Sequence, residues 1–352
     1  MRALRHAAIA AVAIVAAWGA AAPPARAQTG AQTGAQTGDT SGKRIAMSNN
    51  YAGNSWRQAM LASWQKAGDA AVAAKQLKEV RSFTTAENQA TEQAAQIQNL
   101  TLQGYDAIVV NASSPTALNG AIKQACDAGI IVVVFDSSVT EPCAYVVGVD
   151  FRRMGAMQVE YMAGRGLKGN LLEVRGLAGG FVDEEIHAGI TEALKTHPEF
   201  KVVSSVHGNW TQTVAQKEVA GVLPTLPEIA AVVTQGGDGY GTAQAFRAAG
   251  RSIPAIFMGN REDELTWWKQ QRDANGYQTM SAAISPGCST FALWVAQQVL
   301  SGAKVPKRFV LPITVVEQAT LDENLKLTAP GGVTTINYSQ QDVIDFIAKL
   351  KG

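Results

Sequence analysis

Polar side chains stand at the ends of seven predicted strands, and their chemical types are those that hydrogen-bond hydroxyl groups. These residues are Asn49, Asn111, Asp136, Asp150, Arg175, Gln235 and Asn260. Because the loops beyond the carboxyl ends of parallel strands converge, a ring of such groups suits a hydroxyl-rich small molecule. Trp56 and Trp210 lie in predicted strand-to-helix loops and could cover its C–H faces. The competing interpretation is structural, since Asn and Asp also cap helices and tryptophan is often buried.

Motifs of nucleophilic, phosphoryl-transfer and zinc-hydrolytic enzymes do not occur in the sequence. Asp183, Glu184 and Glu185 form a dense acidic cluster, but acidic residues also favour the first turn of a helix. The histidines at 187, 197 and 207 lack the spacing of metal ligands. We therefore predict that the chain is not an enzyme and has no metal site and no cofactor.

A glycine-rich loop, GGDGYG at residues 236–241, follows a predicted strand and precedes a predicted helix. Its spacing does not match the dinucleotide-binding fingerprint. We interpret its glycines as allowing the backbone to approach a ligand closely, with Asp238 as a further candidate contact.

Short β-rich runs alternate with amphipathic stretches from Lys43 onward, which is the pattern of parallel sheets covered by helices. The run IIVVVF at 130–135 has no polar alternation and should be a strand buried on both faces. One series of predicted strands covers 44–48, 77–82, 107–111, 130–136 and 145–149, and a second covers 170–174, 201–206, 230–235, 255–258 and 278–284. A break near Asp150 separates them, so we predict an α/β fold of two similar, doubly wound parallel-sheet lobes. A further predicted strand, 309–315, could join either lobe.

The first 27 residues have the three parts of a secretory signal peptide. Arg2 and Arg5 precede an apolar run from Ala7 to Ala22, and Ala25-Arg26-Ala27 supplies the small-x-small cleavage pattern. The run is shorter than the ~20 residues that span a bilayer. We therefore expect an exported chain that is cleaved near Ala27.

The repeated AQTG tract after this leader contains only small and polar residues, so we predict a flexible linker over 28–42.

The formal net charge of +1 is not that of a protein that binds nucleic acid. In an oxidising compartment Cys126 and Cys143 could form a disulfide, which would leave Cys288 as an odd thiol.

These features make the chain resemble a periplasmic solute-binding protein of the ribose-binding, type I class over nearly all of residues 44–315. The most specific segments are DAIVVNASSPTALNGAIKQACDAGIIVVVFDSS at 106–138, VGVD at 147–150 and EVRGLAGG at 173–180. That class places an Asn after the third strand and an Asp after the fourth, both bonded to ligand hydroxyls. Asn111 and Asp136 match those positions.

Other matches to the class are less specific. The loop Asn54-Ser55-Trp56-Arg57 resembles the branch that binds galactofuranose-like sugars, while Trp210 and Asn260 stand where relatives carry an aromatic ring and often an Asp. Two departures occur: Ile186 replaces the ligand-binding Arg of the class, and Ile284 stands at or near its hinge Gln. The ligand therefore stays open among pentoses, hexoses, furanoses and polyols.

The residues and the resemblance together predict ten ligand-binding residues. They are Asn54, Ser55, Trp56, Arg57, Asn111, Asp136, Trp210, Gln235, Asp238 and Asn260. The resemblance implies an N-terminal lobe of 43–149 with about 285–312, a C-terminal lobe of 150–284 with about 313–352, and crossings near Asp150, Ser285 and Pro312. It also implies hinge closure on a sugar or polyol in the periplasm, followed by docking of a monomer on an ABC transporter permease.

Three alternatives differ in the partner or the chemistry. A periplasmic sugar sensor would dock on a chemoreceptor or sensor kinase instead of a permease. An exported carbohydrate-active enzyme would need paired carboxylates across the cleft. A sugar-responsive transcription regulator shares the fold, but the leader and the lack of an N-terminal helix-turn-helix argue against it.

Overall fold

The computed structural model describes residues 38–87 and 89–350, so the predicted signal peptide and most of the predicted linker lie outside the described residues. The end of that linker is part of the fold. Thr40 is buried, its hydroxyl donates to the Gln76 carbonyl at 2.7 Å, and it accepts from the Gln297 amide at 2.9 Å. Thr40, which lies within the predicted linker, is therefore held by partners in the fold.

Twelve strands are present in the described ranges. They are β1 (Arg44–Asn49), β2 (Glu79–Thr84), β3 (Ala107–Asn111), β4 (Ile131–Phe135), β5 (Tyr145–Gly148), β6 (Gly169–Arg175), β7 (Phe200–His207), β8 (Ala231–Thr234), β9 (Ala255–Ile256), β10 (Ser281–Ala283), β11 (Arg308–Val310) and β12 (Thr314–Val316). The first sheet has the order β11-β5-β4-β3-β1-β2, and the second sheet has the order β7-β6-β8-β9. Every pair within these two sheets is parallel, whereas β10 and β12 form a separate antiparallel pair.

Eleven α-helices connect and cover the strands in the same ranges. They are α1 (Ser55–Ala73), α2 (Ala90–Leu102), α3 (Asn119–Asp127), α4 (Phe151–Gly164), α5 (Phe181–Leu194), α6 (Gln212–Val222), α7 (Gly239–Ala248), α8 (Glu262–Asn275), α9 (Cys288–Leu300), α10 (Leu321–Leu327) and α11 (Gln340–Lys349). Within the described part of the chain, none of these helices is both long and apolar enough to cross a membrane.

The continuous apolar run at 130–135 is a central strand, as predicted. β4 lies between β3 and β5, and Val132, Val133, Val134 and Phe135 are at most 1% exposed. A strand in this position must be apolar on both faces, because helices cover both sides of a parallel sheet. Trp267 is likewise buried in the core of the second sheet, which agrees with a packing role.

The chain returns from the second sheet to the first through α9, which packs on β3 and β4. β11 then joins the first sheet beside β5, and β12 pairs with β10. The single strand predicted at 309–315 is therefore wrong, since it is two strands in different sheets. Pro312 lies between them, where its missing N–H cannot interrupt a ladder.

The last helix, α11, packs against α9 and not against the second sheet. Val343 and Ile347 are buried, and the Phe346 ring lies 5.3 Å from that of Phe291 in α9. The apolar face of α11 thus covers a helix that itself packs on the first sheet, although the resemblance implies a place for 313–352 in the C-terminal lobe. A disulfide joins Cys126 in α3 to Cys143, shortly before β5.

Candidate functional site

A cavity lies between the carboxyl ends of the two parallel sheets. Its first wall consists of lining residues within 50–57, 111–113 and 136–137, all beyond strands of the first sheet. Its second wall consists of lining residues within 151–154, 177–182, 235–237, 259–261 and 283–284, with Trp210 and Val333. This is the edge where loops and helix N-termini of parallel sheets converge.

Eight of the ten predicted site residues line this cavity. They are Asn54, Trp56, Arg57, Asn111, Asp136, Trp210, Gln235 and Asn260. The other two, Ser55 and Asp238, do not line it. Ser55 begins α1, and Asp238 is fully buried beyond the second wall, just before α7.

Three side chains of the first wall form a buried polar cluster. The Asn111 Nδ2 atom donates to Asp136 Oδ2 at 3.1 Å, and an Arg57 Nη2 atom lies 3.4 Å from the same oxygen. Burial raises the pKa of Asp136, opposed by the Arg57 guanidinium and the Asn111 amide, and burial lowers the pKa of Arg57. The 3.4 Å separation is longer than a charge-assisted hydrogen bond, so both charges retain bonding capacity toward the cavity.

The backbone places Asp136 in a conformation that few side chains adopt. Its φ is 61°, in the left-handed region, where aspartate is tolerated better than most non-glycine residues. The next residue, Ser137, accepts a hydrogen bond from the Ala112 backbone N–H at 2.6 Å, which ties the ends of β3 and β4 together. Strain of this kind is concentrated at functional sites, where the surrounding structure holds it.

Gln93 positions the end of β3 from below the first wall. This fully buried side chain of α2 donates to the Asn111 carbonyl at 2.8 Å and accepts from the Ser113 N–H at 2.8 Å. Both halves of its amide are therefore used to fix residues 111–113. The Asn111 side chain remains directed to the cavity and Asp136.

Four polar atoms of the first wall are buried and have no hydrogen-bond partner among the residues that the structure describes. They are Asn50 Oδ1, Arg57 Nη1, Asn111 Oδ1 and Ser113 Oγ. Buried polar groups are nearly always hydrogen-bonded, and leaving one unpaired costs about 1–3 kcal/mol. Their grouping on one wall indicates a surface made to bind a polar molecule.

The polar side chains of the second wall are mostly engaged within the protein. Gln235 donates to Asp183 Oδ1 at 2.8 Å and accepts from the Gly176 N–H at 3.0 Å. Asn260 donates to the Thr314 carbonyl at 3.1 Å and accepts from the Ser281 hydroxyl. These two residues line the cavity, but their amides are committed to holding the wall together.

The two predicted aromatic contacts lie on opposite walls. Trp56 donates from Nε1 to the Ile284 carbonyl at 2.9 Å and so connects the first wall to the end of β10. Trp210 has a φ of 52° and rests over Gly176, where an added Cβ would lie 2.2 Å from its ring. Gly176 is thus the residue that makes room for the Trp210 indole.

Sequence reasoning missed several residues that line the cavity. Asn50, Ser113, Phe181 and Arg261 are among them, and Arg261 donates from its guanidinium to the carbonyls of Gly237 and Trp210 at 3.1 and 2.6 Å. Asn50 and Arg261 directly follow Asn49 and Asn260, so extending each predicted strand end by one residue would have found them.

Other polar strand ends have structural roles. The Asp150 carboxylate caps α4 by accepting from the Arg153 N–H, and Arg175 pairs with Asp183 at 2.6 Å and with Glu184 at 2.8 Å. Asn49 donates to the Tyr51 carbonyl and to Thr84. Glu184 and Asp183 belong to the acidic first turn of α5, as the structural interpretation of that cluster predicts.

Asp238 and Glu264 form a second buried acidic group, behind the second wall. Burial, opposed by the Arg261 guanidinium, raises the pKa of Asp238 well above its ordinary range. Burial and the neighbouring Asp263 carboxylate raise the pKa of Glu264, whose Oε1 accepts from the N–H groups of Gly239 and Gly259. Glu264 thus supports the glycine-rich loop from behind, whereas both Asp238 carboxylate oxygens are buried without a hydrogen-bond partner among the described residues. Neither acid lines the cavity.

Comparisons with known proteins agree with this architecture. The family described as "Periplasmic binding protein domain" matches residues 45–304. A xylitol-binding protein of Mycolicibacterium smegmatis is 31% identical over 188 residues, which are 52% of this chain and 54% of the relative, so the match spans about half the relative's length. A ribose import binding protein of Salmonella typhimurium is 24% identical over 65% of this chain and 77% of its own length.

A solved structure supports the fold over nearly the whole molecule. The crystal structure of an ABC transporter solute binding protein from Thermobispora bispora superposes with a TM-score of 0.82 at 36% identity. The superposition covers 88% of this chain and 96% of that one. The predicted α/β fold with two parallel-sheet lobes is thereby confirmed, and this chain belongs to the periplasmic binding protein family.

Proposed function

We propose that this chain captures a small, neutral sugar or polyol in the cavity and delivers it to an ABC-type membrane permease. The observation that carries the proposal is the set of four unpartnered, buried polar atoms on the first wall, beside the Arg57–Asp136 pair. Opposite charges at this distance leave the wall nearly neutral overall, which suits an uncharged ligand. Hydroxyl groups can both donate to Asp136 and accept from Arg57.

The proposed contacts are sufficient for tight binding. A hydrogen bond to a charged group contributes about 1.5–3 kcal/mol net. Micromolar affinity corresponds to about −8 kcal/mol, so a few bonds to Asp136, Arg57 and Asn111, with stacking on Trp210, reach it after ordering costs. The residues proposed to contact the ligand are therefore Asn50, Asn54, Trp56, Arg57, Asn111, Ser113, Asp136 and Trp210. Gln235, Asn260 and Arg261 line the cavity and hold the second wall together.

The names of the relatives support a ligand of this class. One is a xylitol-binding protein and another a ribose import binding protein. This chain nevertheless has Ile186, fully buried in α5, where the class has its ligand-binding Arg. Ile284 lines the cavity at or near the position of the class's Gln. Ribose itself is consequently a weaker candidate than a compound with a different hydroxyl pattern.

We propose two lobes that close on the ligand. The first lobe comprises 43–149, about 285–312 and α11, and the second comprises 150–284 with about 313–339. Segments near Asp150, Ser285 and Pro312 would cross between them. A ligand that contacts both walls favours the closed state, because only that state allows both sets of contacts.

Export and delivery are parts of the same proposal. Family membership supports a periplasmic location, and the predicted signal peptide supplies the route. Cell fractionation should find a mature chain that begins near Gln28 in the periplasm. Uptake of the ligand should be lost when the gene is deleted in the source organism, whereas a sensory role would leave uptake intact.

A thermal-shift screen of pentoses, hexoses, furanose-forming sugars and polyols tests binding directly. A ligand that binds only the folded state raises the melting temperature by mass action. The best compound should then bind in calorimetry with one site per chain and be recovered unchanged. Asn111→Ala should weaken binding at least about tenfold, as expected for losing bonds in a buried polar cluster. The exposed control Asn99→Ala should bind the ligand normally. A screen without any hit, or chemical conversion of the ligand, would refute the proposal.

A further inference from the structure

The second wall of the cavity presents mainly apolar side chains to the space that the first wall lines with polar atoms. Leu177 lies in the loop before α5, Phe181 and Val182 begin that helix, and Met154 and Ile284 also line this wall. The first three are only partly buried, so they still have surface to offer to a ligand. A molecule between the walls therefore faces two chemically different surfaces.

The polar side chains on this wall do little to change its character. The Gln235 and Asn260 amides each donate and accept within the protein, and the Arg261 guanidinium donates to two backbone carbonyls. The unpartnered buried side-chain atoms found among the lining residues in the described ranges all belong to the first wall. A ligand hydroxyl turned toward Leu177 and Val182 would lose its bonds to water and gain none from those side chains.

Resting on the proposed function, we propose that the ligand is a deoxygenated sugar. It has hydroxyls along the edge that meets Asp136, Arg57 and Asn111, and a methyl or methylene group on the edge that meets Leu177, Phe181 and Val182. A C–H edge buries apolar surface on that wall, whereas an added hydroxyl there is desolvated without a partner. The second wall thus selects against an additional hydroxyl group, while the first wall supplies the hydrogen bonds that hold the ligand.

Matched sugars test the inference. Each sugar that binds in the screen is compared by calorimetry with its monodeoxy derivatives, for example D-galactose with 6-deoxy-D-galactose and D-ribose with 5-deoxy-D-ribose. At least one derivative should bind about 10- to 100-fold more tightly than its parent, which is the range that one added hydroxyl costs in an apolar pocket. If every derivative binds less than tenfold more tightly than its parent, or more weakly, the inference is overturned and the proposed function stands. If neither parents nor derivatives bind, the proposed function fails and the inference fails with it.

A single substitution locates the preference on the second wall. Val182→Thr keeps the shape of the side chain and adds a hydroxyl that can pair with a ligand hydroxyl. This variant should reduce the preference for the deoxy derivative by at least about threefold, because part of the lost hydrogen bonding is restored. Val222→Thr, at the end of α6 and away from the cavity, should keep the wild-type preference. An unchanged preference in Val182→Thr, with a melting temperature like that of the control, would overturn the assignment to this wall.

Discussion

The two walls of the cavity are built from the same kind of sheet edge, yet their polar residues serve opposite purposes. On the first wall, Asn111 and Arg57 keep buried polar atoms that have no hydrogen-bond partner within the described ranges. On the second wall, Gln235 and Asn260 occupy equivalent strand ends, but their side-chain amides hydrogen-bond neighbouring segments of the protein. A polar residue at a strand end is thus a candidate for ligand contact when it faces the cavity and also keeps unused hydrogen-bonding capacity, as Asn111 does.

Buried carboxylates show the same division. Asp136 contacts Arg57 and Asn111 and lines the cavity. Asp238 is fully buried and does not line the cavity. Burial raises the pKa of both acids, so the raised pKa does not distinguish the acid proposed to bind the ligand from the other one, whereas access to the cavity does.

Removing the charge of Asp136 should have the largest effect on binding. Asp136→Asn keeps the size of the side chain, and Asn tolerates the φ of 61° as well as Asp does. It loses charge-assisted bonds to ligand hydroxyls, so the affinity measured by calorimetry should fall about 10- to 100-fold or more. The exposed Asp127→Asn is the matched control and should bind normally. Wild-type affinity in Asp136→Asn would break the contrast between the walls, because Asp136 would then be structural too.

Displacing Trp210 should have a smaller effect that comes from the second wall. In Gly176→Ala the new Cβ would lie 2.2 Å from the indole, so the ring must move. We expect affinity to fall about tenfold, the equivalent of one lost stacking contact and some added strain. Gly164→Ala, in α4 with no atom within 4 Å of the new Cβ, is the control and should be neutral or slightly stabilising. Unchanged affinity in Gly176→Ala would remove Trp210 from the site.

The pH dependence of affinity should separate the two walls further. Because burial raises the pKa of Asp136, acid protonates it above the ordinary aspartate range, and the protonated group loses its charge-assisted bonds. Ligand affinity should therefore fall severalfold as the pH falls toward the ordinary pKa range of aspartate. Calorimetry at a series of pH values from 7 downward measures this change. The trend should be absent in Asp136→Asn. An equally steep fall in that variant would mean that another group controls binding.

The sequence could predict the fold and much of the first wall because local signals carry both. The apolar run at 130–135 identified β4, and Asn111 and Asp136 follow their strands directly. Two kinds of information were out of reach. The 309–315 segment changes sheets at Pro312, and α11 returns to pack on α9, both of which depend on long-range packing that periodicity does not report.

The roles of polar residues in the second wall were also beyond the sequence. Whether Gln235 points to a ligand or to Asp183 depends on where α5 begins relative to β8, and the sequence contains no signal for that distance. Asp238 was predicted as a contact from its place in the glycine-rich loop. It does not line the cavity, because α7 begins immediately after it and its carboxylate lies beside Gly208, at the end of β7.

The smallest expected effect concerns the buried acids behind the second wall. The folded-state pKa of Asp238 is raised above its unfolded value, so the folded state binds more protons than the unfolded state between those two values. Stability therefore rises as the pH falls through the raised pKa toward the ordinary value, and at neutral pH the buried carboxyl group is destabilising, because it must either keep a buried charge or take up a proton on folding. Asp238→Asn removes the ionisable group and should raise the melting temperature of the unliganded protein at pH 7 by a few degrees, an effect of about 1 kcal/mol or less. It should also flatten the pH dependence of the melting temperature between pH 7 and 4, with affinity unchanged. Asp127→Asn is again the control. A loss of ligand affinity in Asp238→Asn would show that a buried acid of the second wall also supports ligand binding, and the contrast between the walls would then be wrong.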